Sequence, residues 1–379
     1  MIARPPVGDI LAKVMPDDAV ARDKARAAFE TLEASGVPWY LRLLTGIGAW
    51  TGGGFLLSFT TGMIAAILGV NNFEGIAIIL GLIVLAGAVI LRRNVSGTGV
   101  GAQFMRQLAL VACFCGQMLF IGGVGSTTKS TDAASVAALV ASAALIALYP
   151  DRIQRFCSTL IAAVALLGLI QDMPSCADLM ALLLVGMVLV LGRVMSRGVT
   201  NDHDDAGWAE IEEPVMYGCA IALFALLIVS TAVTMFGVSE SDLKEVRAVL
   251  PGMPTVIGFV LALLWLTASI LSEHGAPPTG PEALLAFMAI IGIGWVTRST
   301  PAITATILML LLGFDRRARA LIALSIVFFL TFGTAYYYGL HLTLLQKSGI
   351  LAASGAFCLM ASAFVRYRYR EYRVQQEVA

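Results

Sequence analysis

The side chains with the most obvious chemistry sit in two places. The run Asn201-Asp202-His203-Asp204-Asp205 supplies oxygen and nitrogen ligands. A run so local wraps a cation only when it follows a dedicated loop spacing, and it does not match the EF-hand pattern. It reads as a solvated acidic loop, and no metal or cofactor is expected. The second place lies between Pro281 and Phe314, where two short apolar runs flank Thr297-Arg298-Ser299-Thr300-Pro301. Pro301 suits the first turn of a new helix. Transporters place binding sites at interrupted or short spans, because half-helix ends expose backbone dipoles. Arg298 could meet an anion there. Buried against protein it would need a partner, since a lone buried charge costs several kcal/mol, and Glu282 is the nearest candidate in sequence. The competing reading is a tight loop whose arginine snorkels to the headgroups.

The remaining signals are weaker. Gln117 lies in the middle of an apolar run, where polar residues usually pair with neighbouring helices. Glu74, Asp172 and Asp178 fall at the ends of such runs, where water is near. Gly46, Gly48, Gly52, Gly53 and Gly54 crowd one apolar run, and Gly48 with Gly52 forms a G-x-x-x-G pair. Small residues let helices approach closely in lipid; the alternative is a local break at Gly52–Gly54 that lines a cavity. The six cysteines include no C-x-x-C spacing and read as packing residues. No H-E-x-x-H, G-x-S-x-G, P-loop or strand-borne G-x-G-x-x-G occurs, so no enzyme is expected.

What must hold these residues is a membrane-embedded frame. Hydrophobic residues make up 58% of the 379 positions and charged ones 13%, and the mean hydropathy is +0.85. Soluble domains carry about 25% charged residues. So few polar groups cannot cover a water-facing surface, and lipid is the solvent that remains. Net charge is zero, which argues against nucleic acid as a partner. Residues 1–36 are polar, with no apolar run near the start, so no cleavable signal is expected. Within them Asp17 and Asp18 can cap a surface helix that Gly36 closes.

Apolar runs near the ~20 residues that cross a ~30 Å core predict spans at 43–69, 74–91, 107–125, 133–149, 156–171, 177–192, 214–236, 254–272, 282–297, 300–314, 320–340 and 348–365. The expected fold is all-α and polytopic, with twelve transmembrane helices. A cytoplasmic segment at 1–38 precedes the transmembrane part at 39–365, which divides six and six at 193–213, and a basic tail follows at 366–379. With both ends in the cytoplasm, only Lys129, Lys244, Arg247, Arg298 and Lys347 of the 25 basic residues fall outside. That bias is the positive-inside signature. The eleventh run ends in Tyr336-Tyr337-Tyr338, followed by His341 and Lys347. Successive helical residues point ~100° apart, so the three rings cannot all face lipid. Tyr337, His341 and Lys347 are the candidate docking residues for another protein; the competing reading is an interfacial belt with packing inside the chain.

Two strings carry a resemblance. They are Pro38-Trp39-Tyr40-Leu41-Arg42-Leu43-Leu44 and Tyr336-Tyr337-Tyr338-Gly339-Leu340-His341-Leu342-Thr343-Leu344-Leu345-Gln346-Lys347-Ser348-Gly349. With them the chain resembles an uncharacterised family of bacterial multi-pass membrane proteins, domain of unknown function 4401, from about Pro38 to the end. The resemblance implies a bacterial inner-membrane location. It also implies a second membrane protein, named for a GDYXXLXY motif, as a candidate partner. It brings no activity and no site residues. The expected role is a non-enzymatic component of a membrane complex, and the alternative is a secondary transporter using 282–314.

Overall fold

In hydrocarbon the backbone of a long apolar run is satisfied only by helix formation or barrel closure, and this chain forms helices. A computed structural model describes residues 39–68, 73–97, 99–173, 175–198, 206–236, 250–273, 280–298 and 300–339, with isolated positions between 345 and 363. Among the described residues there are eleven helices and no strand. They are α1 (Trp39–Leu68), α2 (Phe73–Asn94), α3 (Val100–Thr128), α4 (Thr131–Leu148), α5 (Arg152–Ile170), α6 (Cys176–Gly198), α7 (Ala206–Phe236), α8 (Met253–Glu273), α9 (Pro281–Val296), α10 (Pro301–Asp315) and α11 (Arg319–Gly339). Eight of the described helices are long and apolar enough to cross a membrane. The protein is therefore all-α and multi-pass. The expected surface helix at 17–36, the acidic run 201–205, the tail and ten of the eighteen positions of the expected span at 348–365 lie outside the described residues.

One alternative falls away and one expectation changes. α1 runs unbroken through Gly52–Gly54, so the glycines line no break. α7 starts at Ala206 and carries Pro214 inside it, where a start at 214 was expected. The polar turn 206–213 simply extends the helix beyond its apolar part.

The chain forms two compact units, residues up to 173 with 193–222, and residues 174–192 with 223 onward. In the first unit α2 packs on α3, α1 packs on α3, and α4 packs on α5. Glycine makes the α2–α3 contact possible. A Cβ on Gly81 would sit 2.6 Å from the Phe120 amide nitrogen and 2.9 Å from the Gly116 carbonyl oxygen. One on Gly123 would sit 2.9 Å from the Ile78 amide nitrogen. These are backbone atoms, so the two helices touch main chain to main chain. In α1 it is Gly53 that packs closely, against the side chains of Leu108 and Val111, while no described residue lies within 4 Å of a Cβ on Gly48 or Gly52.

In the second unit α9 and α10 both pack on α8, and α10 also packs on α11. α10 is the most enclosed of them, with Thr304, Ala305, Thr306, Leu308, Met309 and Leu312 at 0% exposure. Its start at Pro301 is the one the sequence predicts. Asp178 sits in the first turn of α6. Its carboxylate accepts from the amides of Gly252 (2.6 Å) and Thr255 (3.2 Å) and from the Thr255 hydroxyl. Gly252 immediately precedes α8 and Thr255 lies in its first turn, so Asp178 caps that helix from a distance. It is 6% exposed, not open to water as its place at a span end suggested. Asp178→Ala orphans these donors and should cost about 2–4 kcal/mol; Asp178→Asn keeps one acceptor and should cost less. The unfolding midpoint in detergent measures both, and a loss below about 0.5 kcal/mol for alanine would contradict the cap.

Candidate functional site

The densest buried polar group of the first unit begins at the turn into α5. Asp151 accepts from the Ile153 and Gln154 amides at 2.9 and 3.4 Å, an N-cap, and its other oxygen meets Arg92 at 3.4 Å. This starts the helix early enough to bring Gln154 and Ser158, one turn apart, onto its inner face. Gln154 Nε2 donates to Gln117 Oε1 of α3 (3.3 Å) and to Ser158 Oγ (3.1 Å). Gln117 Nε2 donates to Ser142 Oγ of α4 at 3.1 Å. All four side chains are fully buried. Three helices are thus tied by amide and hydroxyl groups, each bond worth about 0.6–1.7 kcal/mol in a membrane protein. Gln154 Oε1 has no hydrogen-bond partner among the described residues.

A layer of arginines surrounds this network. Arg93 donates to the Leu148 carbonyl through Nε (3.3 Å) and Nη2 (2.9 Å), and Arg155 Nε donates to the Ile146 carbonyl at 3.1 Å. Both carbonyls belong to the last turn of α4, which has no helical donors of its own. Arg155 Nη1 also donates to the Glu210 carbonyl at 2.9 Å. Glu210 lies four residues before Pro214, which has no N–H to give it. Arg155 supplies the missing donor. Tyr149 is fully enclosed beside Leu85, Ala88, Leu110, Cys113 and Leu145.

The arrangement has definite chemical limits. The four-membered network is neutral, so it holds helices in register and carries no charge or proton. The charged groups around it are occupied by helix ends. Among the described residues no three His, Cys, Asp or Glu side chains converge as metal ligands do.

Comparison with known proteins places the chain. The profile of a family described as a domain of unknown function, DUF4401, matches residues 38–368. The chain belongs to the DUF4401 family. Curated proteins give no match, and solved structures give none.

In this DUF4401 chain the residues singled out from sequence are only partly brought into view. Arg298 is exposed, with its guanidinium 5.3 Å from the centre of the Trp295 ring. It follows the end of α9 at Val296, and its exposure fits the headgroup reading and not the buried one. The side chain of Glu282, and all of His341 and Lys347, lie outside the described residues. Tyr337 is half-buried and meets the exposed Tyr338 edge-on at 5.5 Å. Gln117 has the interhelical partners its position implied. Gln154, Ser142 and Ser158 went unseen because each is ordinary alone; the i, i+4 spacing of Gln154 and Ser158 was the available clue.

Proposed function

We propose that this chain is a non-enzymatic component of a membrane complex in a bacterial inner membrane. One face of α1 carries the reading. Gly48, Gly52, Phe55 and Phe59 recur at helical spacing on that face. No described residue approaches the two glycines, and the two phenylalanines stack on each other while 74% and 60% exposed. Small residues beside an aromatic pair fit a second transmembrane helix: the glycines admit its backbone and the rings add contact area. The membrane protein carrying the GDYXXLXY motif is the candidate partner. Affinity purification from native membranes with mass spectrometry tests this. Wild-type chain should recover one stoichiometric membrane protein, and Gly48→Leu with Gly52→Leu should reduce that recovery at least fivefold at normal abundance. Equal recovery would overturn the reading. The same assay on Tyr337→Ala tests a second contact through Tyr337, His341 and Lys347.

The arrangement proposed with it is twelve spans with both termini in the cytoplasm, supported by a distribution that leaves only five of the 25 basic residues on the outer side. A reporter fused within 238–253 should read outside, and a cytoplasmic reading would overturn it.

A secondary transporter is the alternative, favoured by one observation. α9 and α10 have 16 and 15 residues, roughly 24 and 22 Å, short of a ~30 Å core. They meet at a buried hydroxyl pair, Thr297 Oγ1 and Thr304 Oγ1 at 3.0 Å. Thr304→Cys should react with a membrane-impermeant thiol reagent if a water path reaches that point. An inert cysteine in folded protein would remove this reading.

A further inference from the structure

An open groove of about 560 Å³ runs along α3, α4 and α5 in the first unit. We propose that it holds one acyl chain of a glycerophospholipid, with the ester carbonyl received at Thr131, Ser135 and Gln171. The volume is that of a small-molecule site. Met118, Ile121, Ala138, Leu160, Ile161 and Val164 form its walls. Met118 and Val164 are 57% and 72% exposed, so the groove opens to the medium around these spans, which is hydrocarbon.

Polarity changes along its length. Thr131 is the first residue of α4, Ser135 lies one turn further on, and Gln171 follows the last residue of α5. The polar lining is therefore confined to the helix ends, where hydrocarbon gives way to headgroups. From Leu160 to Gln171 the helix rises roughly 16 Å, about half of a ~30 Å core. That is the depth of one leaflet, the reach of one acyl chain from its ester.

The donors at the mouth are unused. Elsewhere in the spans hydroxyls turn back to their own helix: Thr127 donates to the Gly123 carbonyl (2.7 Å), Thr159 to Arg155 (2.8 Å) and Ser325 to Leu321 (2.7 Å). Among the described residues the side chains of Thr131, Ser135 and Gln171 make no hydrogen bond. Two O–H groups and an amide NH₂ suit carbonyl acceptors. Gly168 keeps the mouth clear, since a Cβ there would lie 2.9 Å from Ser135 Oγ.

The test uses full-length protein in phosphatidylcholine nanodiscs doped with a phospholipid that carries a diazirine in one acyl chain. Labelling of the 160–168 segment should saturate as the probe fraction rises. Labelling around Ile79 and Ile83 of α2, 61% and 62% exposed, should instead rise in proportion. Gly168→Phe should cut labelling of 160–168 at least tenfold. Ser135→Ala, which removes a donor and adds no volume, should weaken it about three- to tenfold, and decides alone if the phenylalanine variant does not fold. Proportional labelling of both segments overturns the proposal, as does undiminished labelling in the folded variants. Displacement of the probe by a ubiquinone analogue but not by excess unlabelled phospholipid overturns it too, in favour of a quinone.

Discussion

Gly81→Leu should leave little folded protein in the membrane, while Gly87→Ala on the same helix should be neutral or slightly stabilising. The difference follows from what each new side chain meets. At Gly81 even a Cβ lies within 3.0 Å of three α3 backbone atoms. Backbone cannot rotate away, so α2 and α3 must separate along a contact that also includes Gly116 and Gly123. Gly81→Ala alone should cost about 1–3 kcal/mol by overpacking, and leucine more. At Gly87 nothing lies within 4 Å, so alanine brings only its better helix propensity. Membrane abundance and the thermal midpoint in detergent report both. Equal behaviour of the two positions would contradict the main-chain contact.

Arg155→Ala should be the second severe change, at about 2–4 kcal/mol, because a charged donor to two carbonyls is lost from a side chain only 6% exposed. Arg155→Lys should rescue poorly, since one compact ammonium does not reproduce the guanidinium fork. Pro214→Ala offers the sharper check. It restores the N–H that the Glu210 carbonyl lacks, so in that background Arg155→Ala should cost about 1–2 kcal/mol less. Additive effects within about 0.5 kcal/mol would mean that the two positions do not share that carbonyl.

Sequence and structure meet where hydropathy decides the answer. The long apolar runs became the long helices, and Pro301 starts α10 because its fixed φ and missing N–H suit a first turn. Gln117 stood out because an amide in hydrocarbon must find partners. What was not legible depends on three-dimensional pairing. Gly81, Gly116 and Gly123 look like any of the 37 glycines until two backbones are laid together. Arg155 falls in a loop if the span starts at Phe156; the Asp151 cap starts the helix at Arg152 instead, and Arg155 is buried in its first turn. Pro214 looked like a helix start, whereas its consequence falls four residues earlier, on a carbonyl that an arginine from another helix must satisfy. Arg298 carries two readings from sequence, buried or at the headgroups, and its exposed place over Trp295 fits the second.

The central claim is that the Gly48–Phe59 face of α1 meets a different membrane protein. A photo-crosslinking amino acid placed at Phe55, and at Ile47 on another face of the same helix, examines it in intact membranes. The expected result is one protein adduct of defined mass at Phe55 and lipid adducts alone at Ile47. Lipid adducts alone at both positions would contradict the claim, and so would an adduct at Phe55 formed only within the chain itself.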